Sequence, residues 1–496
     1  MKCKFLLAVL VVYSMKIVSA ADSPNIILIL TDDQGWTGTS VQMDKRLADS
    51  SSDLYRTPNL SRLAEQGMRF SNGYAPAPNC SPTRMSIQTG KTAARLGATD
   101  ILDVVPRDGT GGRFYDLYYV NKPLNVPLPI SELPDDELTI AELVKQKDSS
   151  YKTAHFGKWH MAGGTPSNHG YDVHDGPTTN APGRQGEPDP KRTGEVTQRA
   201  VNFLDEVGKS NSFFMQVSYY AVHNPVLFKK ETIETYSVTD GRKHINTRYA
   251  AMTEELDEGL GRILDKIDKL GISDNTYVIY TSDNGAEITE GTYTNNEPLA
   301  KGKTHVWEGG IRVPLVIRGP GIKANSQCDE PAIGYDFLPT IAEWIGASDE
   351  LSKEVDGGSL AAVLANEGKG TVKRGTEPLI WYYSAYRNHK HVVPQAAIRL
   401  GDDKLIWDFE SDKVQLFDLA LDISETTDLA RFRPKVANKL HTQLKNYFAS
   451  AEVRIPTRNE NYDPQKDPAL GSSARNQRFG NRRTQGNNQP QPRRTP

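Results

Sequence analysis

The chain has 496 residues and nearly balanced charge, with 59 lysines and arginines against 62 aspartates and glutamates. Because single hydrophobic cores rarely grow beyond about 250–300 residues, this length indicates two domains rather than one. The balanced charge provides no overall field that would favour nucleic acid or an anionic membrane as a partner, so any anion site must be local.

The first twenty residues have the pattern of a secretory signal peptide. Two lysines precede an apolar run, Phe5–Val12, and Val18–Ala20 offers small residues for cleavage. A membrane anchor is the alternative, but the run is shorter than the roughly 20 apolar residues that cross a bilayer, and Lys16 interrupts its extension. We therefore expect residues 1–20 to be a signal peptide, and the mature protein to be secreted or periplasmic, with no membrane span.

Two apolar runs in the main part of the chain predict buried strands that end in polar residues. Asn25–Thr31 is a continuous apolar run, which is typical of a parallel strand covered on both faces. Thr276–Thr281 has the same character and follows a long amphipathic helix predicted over about Asn246–Leu270. A shorter helix is predicted over Thr57–Met68. This alternation predicts an α/β fold, in which ligands bind beyond the carboxyl ends of the strands.

The pattern changes after about residue 370. Four short segments with strand-like composition lie between residues 379 and 419, and a helix is predicted over Pro434–Ser450. This pattern predicts a small antiparallel α+β subdomain over residues 371–455, which leaves residues 21–370 for the main domain. Residues 456–496 are rich in Asn, Gln, Arg, Pro and Gly with almost no apolar side chains, so we expect a disordered polar tail.

The chain has three cysteines, and Cys3 would leave with the signal peptide. Cys80 and Cys328 then remain, which is too few for the disulfide framework of a small secreted domain. One disulfide between these two residues is an open alternative. Their contexts differ, because Cys80 lies inside a motif and Cys328 does not.

The motif reads Cys-Ser-Pro-Thr-Arg from Cys80 to Arg84 and continues to Thr89-Gly90. Pro82 favours the first turn of a helix. Cys80 is therefore expected just before a helix N-terminus, where the dipole and free N–H groups favour anions. A buried structural cysteine near a turn is the alternative for an isolated Cys-x-Pro.

Acidic residues follow both predicted strands. Asp32 and Asp33 come after the first strand, and Asp283 and Asn284 come after the later one. Three carboxylates and an amide oxygen suit a hard cation with oxygen ligands, so calcium is favoured over zinc. Either pair alone has an alternative interpretation, because Asp-Asp and Asp-Asn-Gly are also common in turns.

The Cys80 motif resembles the signature of the type I, formylglycine-dependent sulfatases, which belong to the alkaline-phosphatase-like superfamily. Four further segments resemble this family in the same order along the chain. The resemblance implies a large mixed sheet flanked by helices, with the sulfatase catalytic domain over residues 21–370 and a smaller C-terminal antiparallel sheet. The four segments are Gly157–His160, His223 before Asn224-Pro225, Lys303 with Glu308–Pro314, and Asp336–Gly346.

In this family the cysteine is oxidised by a formylglycine-generating enzyme, so the resemblance implies that Cys80 becomes formylglycine. One hydroxyl of the aldehyde hydrate attacks sulfur, and the other allows the sulfate to be expelled. Arg84, one helical turn later, would hold the hydrate oxygens. The implied calcium ligands are Asp32, Asp33, Asp283, Asn284 and the residue formed from Cys80.

The remaining motifs imply residues that bind sulfate and move protons. Lys158 would neutralise sulfate oxygens, and His160 would act as base on the second hydroxyl. His223 would bind sulfate, and either His223 or Lys303 would assist departure of the alcohol. The alternative for a lone histidine after a strand is a structural role. Counting back from the Glu-Gly-Gly segment selects Lys303 over Lys301 as the sulfate-binding lysine.

Two stretches mix aromatic and basic residues, Arg113–Tyr119 and Trp381–His391. Aromatic faces stack on sugar rings, and cations suit neighbouring sulfates or carboxylates. We therefore expect Arg387 and His389 to bind substrate, which predicts an enzyme that acts on a sulfated polysaccharide or its oligosaccharides. The alternative is that the aromatic residues form core and the charged residues lie at its rim.

Two other functions remain open. A formylglycine-dependent phosphodiesterase or phosphonate monoester hydrolase would use the same nucleophile, although Gly157–His160 and the Lys303 loop favour sulfate. A protein with unmodified Cys80 would be a non-catalytic binder of sulfated glycans. The intact motifs argue against that function, because a binder needs neither the nucleophile nor the releasing base.

Overall fold

The structure is a computed structural model that describes residues 23–102, 113–180, 183–237, 244–288, 296–387 and 391–467. The predicted signal peptide, His389 and the chain from residue 468 onward lie outside these ranges. Within them, no helix is both long enough and apolar enough to cross a membrane.

Strands and helices alternate along most of the chain, and their bounds lie close to those predicted for the two main helices and both buried strands. The strands of the described residues are β1 (Asn25–Thr31), β2 (Met68–Phe70), β3 (Gly73–Tyr74), β4 (Leu124–Asn125), β5 (Lys152–Gly157), β6 (Val173–His174), β7 (Phe213–Ser218), β8 (Thr276–Ser282), β9 (Leu315–Arg318), β10 (Ser326–Cys328), β11 (Ala332–Ile333), β12 (Leu379–Tyr383), β13 (Gln395–Leu400), β14 (Asp403–Asp408), β15 (Lys413–Asp418) and β16 (Thr457–Arg458). The helices are α1 (Pro58–Gln66), α2 (Cys80–Thr89), α3 (Ala93–Leu96), α4 (Arg113–Tyr119), α5 (Ile140–Lys147), α6 (Thr193–Val207), α7 (Lys230–Ile233), α8 (Thr247–Leu270), α9 (Glu308–Ile311), α10 (Phe337–Trp344), α11 (Ala361–Ala365) and α12 (Pro434–Ser450).

The main sheet has eight strands in the order β10-β2-β9-β8-β1-β7-β5-β6. β8, β1, β7 and β5 are parallel neighbours, whereas β9 is antiparallel to both β8 and β2. In the centre, Leu28 of β1 lies between Gln216 of β7 and Ile279 of β8. The carboxyl ends of four neighbouring strands therefore meet at one edge. The predicted α/β class with a mixed sheet is confirmed.

β1 is buried along its whole length, as its continuous apolar run predicts. Ile27 and Ile29 belong to the core shared with α1, α6 and α8. Ile26, Leu28 and Leu30 belong to the core on the other face, with α2, α5 and α10. Each buried side chain of this kind contributes about 1.5–3 kcal/mol, so packing on both faces fixes the position of the strand.

The C-terminal sheet, β12-β13-β14-β15, is antiparallel throughout. Leu440, Leu444 and Phe448 of α12 pack against one of its faces. The other face packs on the main part of the chain, where Trp381 of β12 contacts Tyr74 of β3. The predicted smaller antiparallel unit is confirmed, including the bounds of its helix.

Buried charges join this sheet to the main part of the chain. Lys404 of β14 lies 2.9 Å from Glu308 of α9 and 2.7 Å from Glu425, and all three side chains are fully buried. Glu308 also accepts a hydrogen bond of 2.6 Å from Arg312. Because α9 directly follows the loop that carries Lys303, the C-terminal sheet braces that loop.

Replacing Lys404 with methionine is expected to lower the free energy of unfolding by about 3–5 kcal/mol, because the buried Glu425 carboxylate loses its counter-ion and the buried Glu308 carboxylate keeps only Arg312. Chemical denaturation followed by fluorescence measures the loss. The control is Lys323→Met, which breaks an exposed ion pair with Glu367 and is expected to change the same free energy by less than about 0.5 kcal/mol. A Lys404→Met protein as stable as the control would contradict the bracing role.

The predicted disordered tail begins too early at residue 456. β16 pairs with β4, and Asp467 lies 2.6 Å from Lys122 with both side chains buried. Composition did not reveal this ordered segment, because a two-residue strand and one ion pair need no apolar run. For residues 468–496, which lie outside the described residues, the tail stays a prediction.

Candidate active site

Charged side chains follow the carboxyl ends of the four parallel strands. Asp32 and Asp33 come directly after β1, Asp283 comes directly after β8, and Lys158 comes directly after β5. His223 lies shortly beyond β7. Because these strands are neighbours, the residues predicted from separate parts of the sequence reach one edge of the sheet.

Cys80 is the first residue of α2, so the helix begins one residue earlier than predicted. Asn79 already forms the extended cap, with φ −144° and ψ 153°. Cys80 is buried and sits where the positive end of the helix favours an anion. The helix ends at Gly90, whose φ of 67° suits glycine. Cys80 and Cys328 are both free thiols, which excludes the disulfide alternative.

The four predicted protein ligands for calcium form one buried cluster. Asp283 Oδ1 accepts a hydrogen bond of 3.1 Å from the backbone N–H of Asp33, and the amide of Asn284 donates to Asp33 Oδ1 at 2.7 Å. Arg84 donates twice to Asp283 Oδ2, at 2.6 and 3.1 Å. Asp32 Oδ2 lies 3.9 Å from the same guanidinium.

Two lysines and a histidine complete the cluster. Lys158 Nζ is 2.6 Å from Asp32 Oδ2, and Lys303 Nζ is 2.8 Å from Asp33 Oδ1. His223 Nε2 is 3.8 Å from Asp33 Oδ2. Together with the arginine of α2, three buried cations therefore face three buried carboxylates.

The paired charges shift the titration of the acids and of Lys303. Burial is the largest single influence on the pKa of Asp32 and would raise it, but Lys158, Arg84 and the other cations nearby together outweigh burial and hold this pKa well below its usual range. Burial raises the pKa of Asp283, and the nearby Asp32 carboxylate raises it further. Burial would lower the pKa of Lys303, but Asp33 and the other negative groups nearby together raise it above its usual value, so Lys303 keeps its proton.

The surroundings of Cys80 favour a negative charge. Burial would raise the pKa of the Cys80 thiol, but Lys158 and His160 lower it to about 6. His160 Nδ1 lies 3.4 Å from Cys80 Sγ. Burial and the neighbouring Lys303 lower the pKa of His223 to about 4, so its ring is neutral near neutral pH.

Two residues of the site have left-handed backbone conformations. Asp33 has φ 60° and His160 has φ 52°. Such conformations cost non-glycine residues on the order of 1–3 kcal/mol and persist only where neighbouring groups hold them. Asp33 is held by the bond from its N–H to Asp283, and His160 by a bond from its N–H to the carbonyl of Thr178 at 2.8 Å.

The cluster has the groups that a metal ion requires. Ligand atoms of Asp32, Asp33 and His223 lie within 4.8 Å of one another. Among the described residues, Asp32 Oδ1 and Asn284 Oδ1 are buried and find no hydrogen-bond donor, although buried acceptors are nearly always paired. Unpaired oxygen atoms among carboxylates fit a hard cation such as calcium.

Arg387, a predicted substrate residue, has an internal partner in the structure. Its guanidinium donates to Asp100 Oδ1 at 2.5 Å and stacks on Tyr118, with Cζ 3.9 Å from the ring centroid. Only 4% of Arg387 is exposed. Direct contact between Arg387 and the substrate stays a prediction, as does the role of His389, which lies outside the described residues.

The aromatic stretch of β12 lies in the interior. Trp381, Tyr382 and Tyr383 are buried in the two cores that the C-terminal sheet separates. A ring enclosed on both faces has no free face for a sugar, which supports the core interpretation for these three residues. Tyr115 of α4 is partly exposed and stacks on Tyr119, with ring centroids 5.8 Å apart.

Sequence reasoning did not identify Lys191 as a residue of this region. Its ammonium donates to the carbonyl oxygens of His223 at 2.5 Å and of Pro225 at 3.1 Å, and 1% of the residue is exposed. Burial lowers its pKa to about 8. No local signal marks this lysine, because it follows a Pro-Asp-Pro turn with no motif around it.

Comparison with known proteins agrees with the motifs. The family model for sulfatases matches residues 24–347, and the model for the C-terminal part of N-sulphoglucosamine sulphohydrolase matches residues 301–452. A sulfatase of Formosa agariphila is 28% identical over 513 residues, covering 86% of this chain and 89% of the relative. The N-acetylgalactosamine-6-sulfatase of Mus musculus is 29% identical over 388 residues, covering 71% of this chain and 68% of the relative.

Solved structures agree on the fold. The crystal structure of Ps i-CgsB in complex with k-i-k-neocarrahexaose has a TM-score of 0.70 at 23% identity, covering 91% of this chain and 98% of that one. The sulfatase model covers well over half of the present chain, and the residues of its motifs meet at one edge of the sheet. The chain therefore belongs to the sulfatase family, has the alkaline-phosphatase-like fold and is a sulfuric ester hydrolase.

Proposed function

We propose that this protein removes sulfate from a sulfated carbohydrate, with a nucleophile formed by oxidation of Cys80 to formylglycine and with calcium bound beside it. The observation that carries the proposal is the meeting of Cys80 with three buried carboxylates and three buried cations. The names of two similar proteins support a sugar substrate, since one is an N-acetylgalactosamine-6-sulfatase and the other was solved with neocarrahexaose.

Formylglycine supplies an aldehyde hydrate with one hydroxyl to attack sulfur and a second through which sulfate is expelled, and calcium supplies positive charge next to the sulfate oxygens. The buried residues around position 80 would hold both groups in a site largely closed to water. The proposed calcium ligands are Asp32, Asp33, Asp283, Asn284 and residue 80.

Three cations bind the charges that develop during reaction. Arg84 lies one helical turn after residue 80. Its guanidinium is fixed by Asp283 and by the carbonyl of Lys158 at 2.7 Å, and in this position it would bind the hydrate oxygens. Lys158 and Lys303 are each fixed by a carboxylate, which orients their ammonium groups for the sulfate. Positioned charges of this kind usually supply the largest part of catalysis.

Two histidines move the protons. His160 faces position 80 and would take the proton of the second hydroxyl during sulfate release. His223 Nδ1 lies 2.5 Å from the carbonyl oxygen of Asn224, which only accepts, so Nδ1 carries the proton of the neutral ring. Bound sulfate would favour protonation of Nε2, the other ring nitrogen, and His223 would then donate to the departing alcohol. Lys303 keeps its proton and acts as a fixed charge.

The proposal includes two events before catalysis. The signal-like pattern of residues 1–20 supports export to the periplasm or secretion. A formylglycine-generating enzyme of the host would modify Cys80. His389 is retained as a proposed sugar ligand on the sequence alone, in which it stands two positions after Arg387 within the aromatic and basic stretch.

The mass of the peptide that contains Cys80 tests the nucleophile. Protein from its natural host, or expressed with a formylglycine-generating enzyme, is expected to show the mass change of CHO replacing CH₂–SH. The peptide that contains Cys328 is the internal control and should keep its thiol, because Cys328 lies buried in β10 without a motif. A Cys80 thiol in a fully active protein would overturn the proposal.

Selectivity for sulfate is a separate expectation. We expect kcat/KM for an aryl sulfate to exceed that for an aryl phosphodiester or phosphonate monoester by at least about 100-fold, because a sulfate monoester offers three terminal oxygens to the buried cations and the other two esters offer only two. Both rates should be measured on the same modified preparation, so that the formylglycine content is constant. The reverse order of rates would favour phosphodiester or phosphonate hydrolysis.

A further inference from the structure

The residue that caps the helix of Cys80 does not use its side chain as a cap. Asn79 is an N-cap residue in extended conformation, yet its side chain accepts no hydrogen bond from the first turn of α2. Asparagine at this position usually accepts such a bond, which is worth about 1 kcal/mol. Instead, its amide nitrogen donates to Asp100 Oδ1 at 3.1 Å. The side chain next to the nucleophile is therefore committed to a different partner.

Asp100 is a buried carboxylate that accepts four hydrogen bonds. Its Oδ1 accepts from Asn79, from the backbone N–H of Ile101 at 2.8 Å and from Arg387 at 2.5 Å. Its Oδ2 accepts from the hydroxyl of Tyr119 at 2.8 Å. A carboxylate with this many donors is fixed in orientation, so it can transmit the position of Arg387 to Asn79.

Arg387, at the opposite end of the contacts that link Asn79 to Asp100, is also held by several partners. Its guanidinium also donates to the carbonyl of Tyr386 at 2.9 Å, and it lies between the rings of Tyr118 and Tyr383. Arg387 follows β12 of the C-terminal sheet, whereas Asn79 precedes α2 of the main part of the chain. The chain of contacts therefore connects the two sheets at the nucleophile.

We propose that Arg387 and Asp100 are positioning residues that hold Asn79, and through Asn79 the nucleophile at position 80, in the orientation that attacks sulfur. This inference rests on the proposed function. It gives the C-terminal sheet a part in catalysis besides bracing the Lys303 loop. It also explains why Arg387 is enclosed rather than open to a sugar.

Charge gives a second reason for the pairing. Asp100 is a buried carboxylate that accepts a hydrogen bond from Asn79, the residue before Cys80. It therefore lies close to a site that must bind an anionic substrate. Arg387 neutralises it, so the positive field of Lys158 and Lys303 is not reduced. Removing Arg387 would leave the buried negative charge of Asp100 uncompensated, and this charge would weaken the positive field of Lys158 and Lys303 at the substrate site.

A double-mutant cycle on Asn79 and Arg387 tests the proposal. Asn79→Ala and Arg387→Met are each expected to lower kcat for a sulfated oligosaccharide by about 10–100-fold with little change in KM, because small displacements of a nucleophile have effects of this size. The double variant is expected to be no more than about threefold slower than the slower single variant, because both changes break one chain of contacts. Each kcat is divided by the formylglycine fraction of the Cys80 peptide, measured by mass.

The opposite pattern would show that Arg387 touches the sugar directly. In that case KM rises in Arg387→Met, and the losses of the two single variants multiply in the double variant. That result, in an active wild type, would overturn this inference alone. A wild type in which Cys80 is modified but which hydrolyses no sulfate ester would overturn the proposed function and this inference with it.

Two further variants separate positioning from stability. Arg374→Met breaks another buried ion pair, in which Arg374 donates to both oxygens of Asp336 at 2.8 and 2.9 Å, and it is expected to lower the melting temperature without changing kcat. Should Arg387→Met fail to fold, Arg387→Lys replaces it in the cycle. Lysine keeps the charge but not the fixed fork of the guanidinium, so a partial loss of kcat at unchanged KM is expected.

Discussion

Replacing Cys80 with serine is expected to lower kcat for sulfate-ester hydrolysis by at least about 10⁴-fold, because the loss of a nucleophile has effects of this order or larger. Serine nearly matches cysteine in size, so α2 and its cap should keep their structure. A serine hydroxyl can be sulfated once, but it forms no aldehyde and has no second hydroxyl through which sulfate leaves. Steady-state rates with an aryl sulfate and a sulfated oligosaccharide measure the loss.

Cys328→Ser is the matched control, since it changes the other buried thiol of the described residues. Cys328 lies in β10, at the far end of the main sheet order, so we expect unchanged kcat and a lower melting temperature. Cys80→Ser should still bind a sulfated oligosaccharide, because Lys158 and Lys303 remain in place. Turnover near the wild-type rate in Cys80→Ser would show that the nucleophile is another residue.

The acidic residues of the site and the position of Cys80 were predictable from local signals, whereas the resemblance to the sulfatase family was needed for Lys158, His160, His223 and Lys303. Asp32 and Asp283 come at the ends of continuous apolar runs, and buried parallel strands are recognisable from such runs alone. The motif around Cys80 marks a helix start through Pro82. Once the strands are known to be parallel neighbours, their carboxyl ends must lie at one edge of the sheet. The clustering of the residues that follow them is therefore a consequence of the sheet topology and does not depend on the packing of individual side chains.

The residues that support the site were not predictable in the same way. Asp100 and Arg387 are 287 positions apart in the chain, and neither lies in a pattern of hydrophobic periodicity. Lys191 binds backbone carbonyl oxygens, which leave no signature in sequence. Contacts of this kind depend on how separate elements pack, whereas composition and spacing report only neighbours along the chain.

The ordered segment up to Asp467 shows the same limit. Its composition is that of a disordered chain, yet β16 pairs with β4 and Asp467 pairs with Lys122. Backbone hydrogen bonds and one buried ion pair compensate for the absence of apolar side chains. Low hydrophobicity therefore predicts only that a segment has no core of its own, and it does not exclude docking on a neighbouring sheet.

Removing calcium with a chelator is expected to abolish turnover and to lower the melting temperature. Three carboxylates lie in the buried cluster, and no donor in the described part of the chain bonds to Asp32 Oδ1 or Asn284 Oδ1. A bound cation would satisfy both oxygens and would stabilise the folded protein by about 2.7 kcal/mol at a concentration 100-fold above its Kd. Thermal melts across a calcium titration measure this stabilisation without relying on activity.

Asn284→Ala tests the ligand set most cleanly, because Asn284 contributes an oxygen without belonging to an ion pair. We expect calcium affinity to fall by about 10–100-fold, with kcat recovering at high calcium. Asn25→Ala is the matched control: Asn25 is also a buried asparagine, but it begins β1 at the opposite edge of the sheet, where its amide donates to Thr276. This control should lower the melting temperature and leave calcium affinity unchanged. Full activity and an unchanged melting temperature after chelation would exclude calcium. The buried oxygens of Asp32 and Asn284 would then need a different partner.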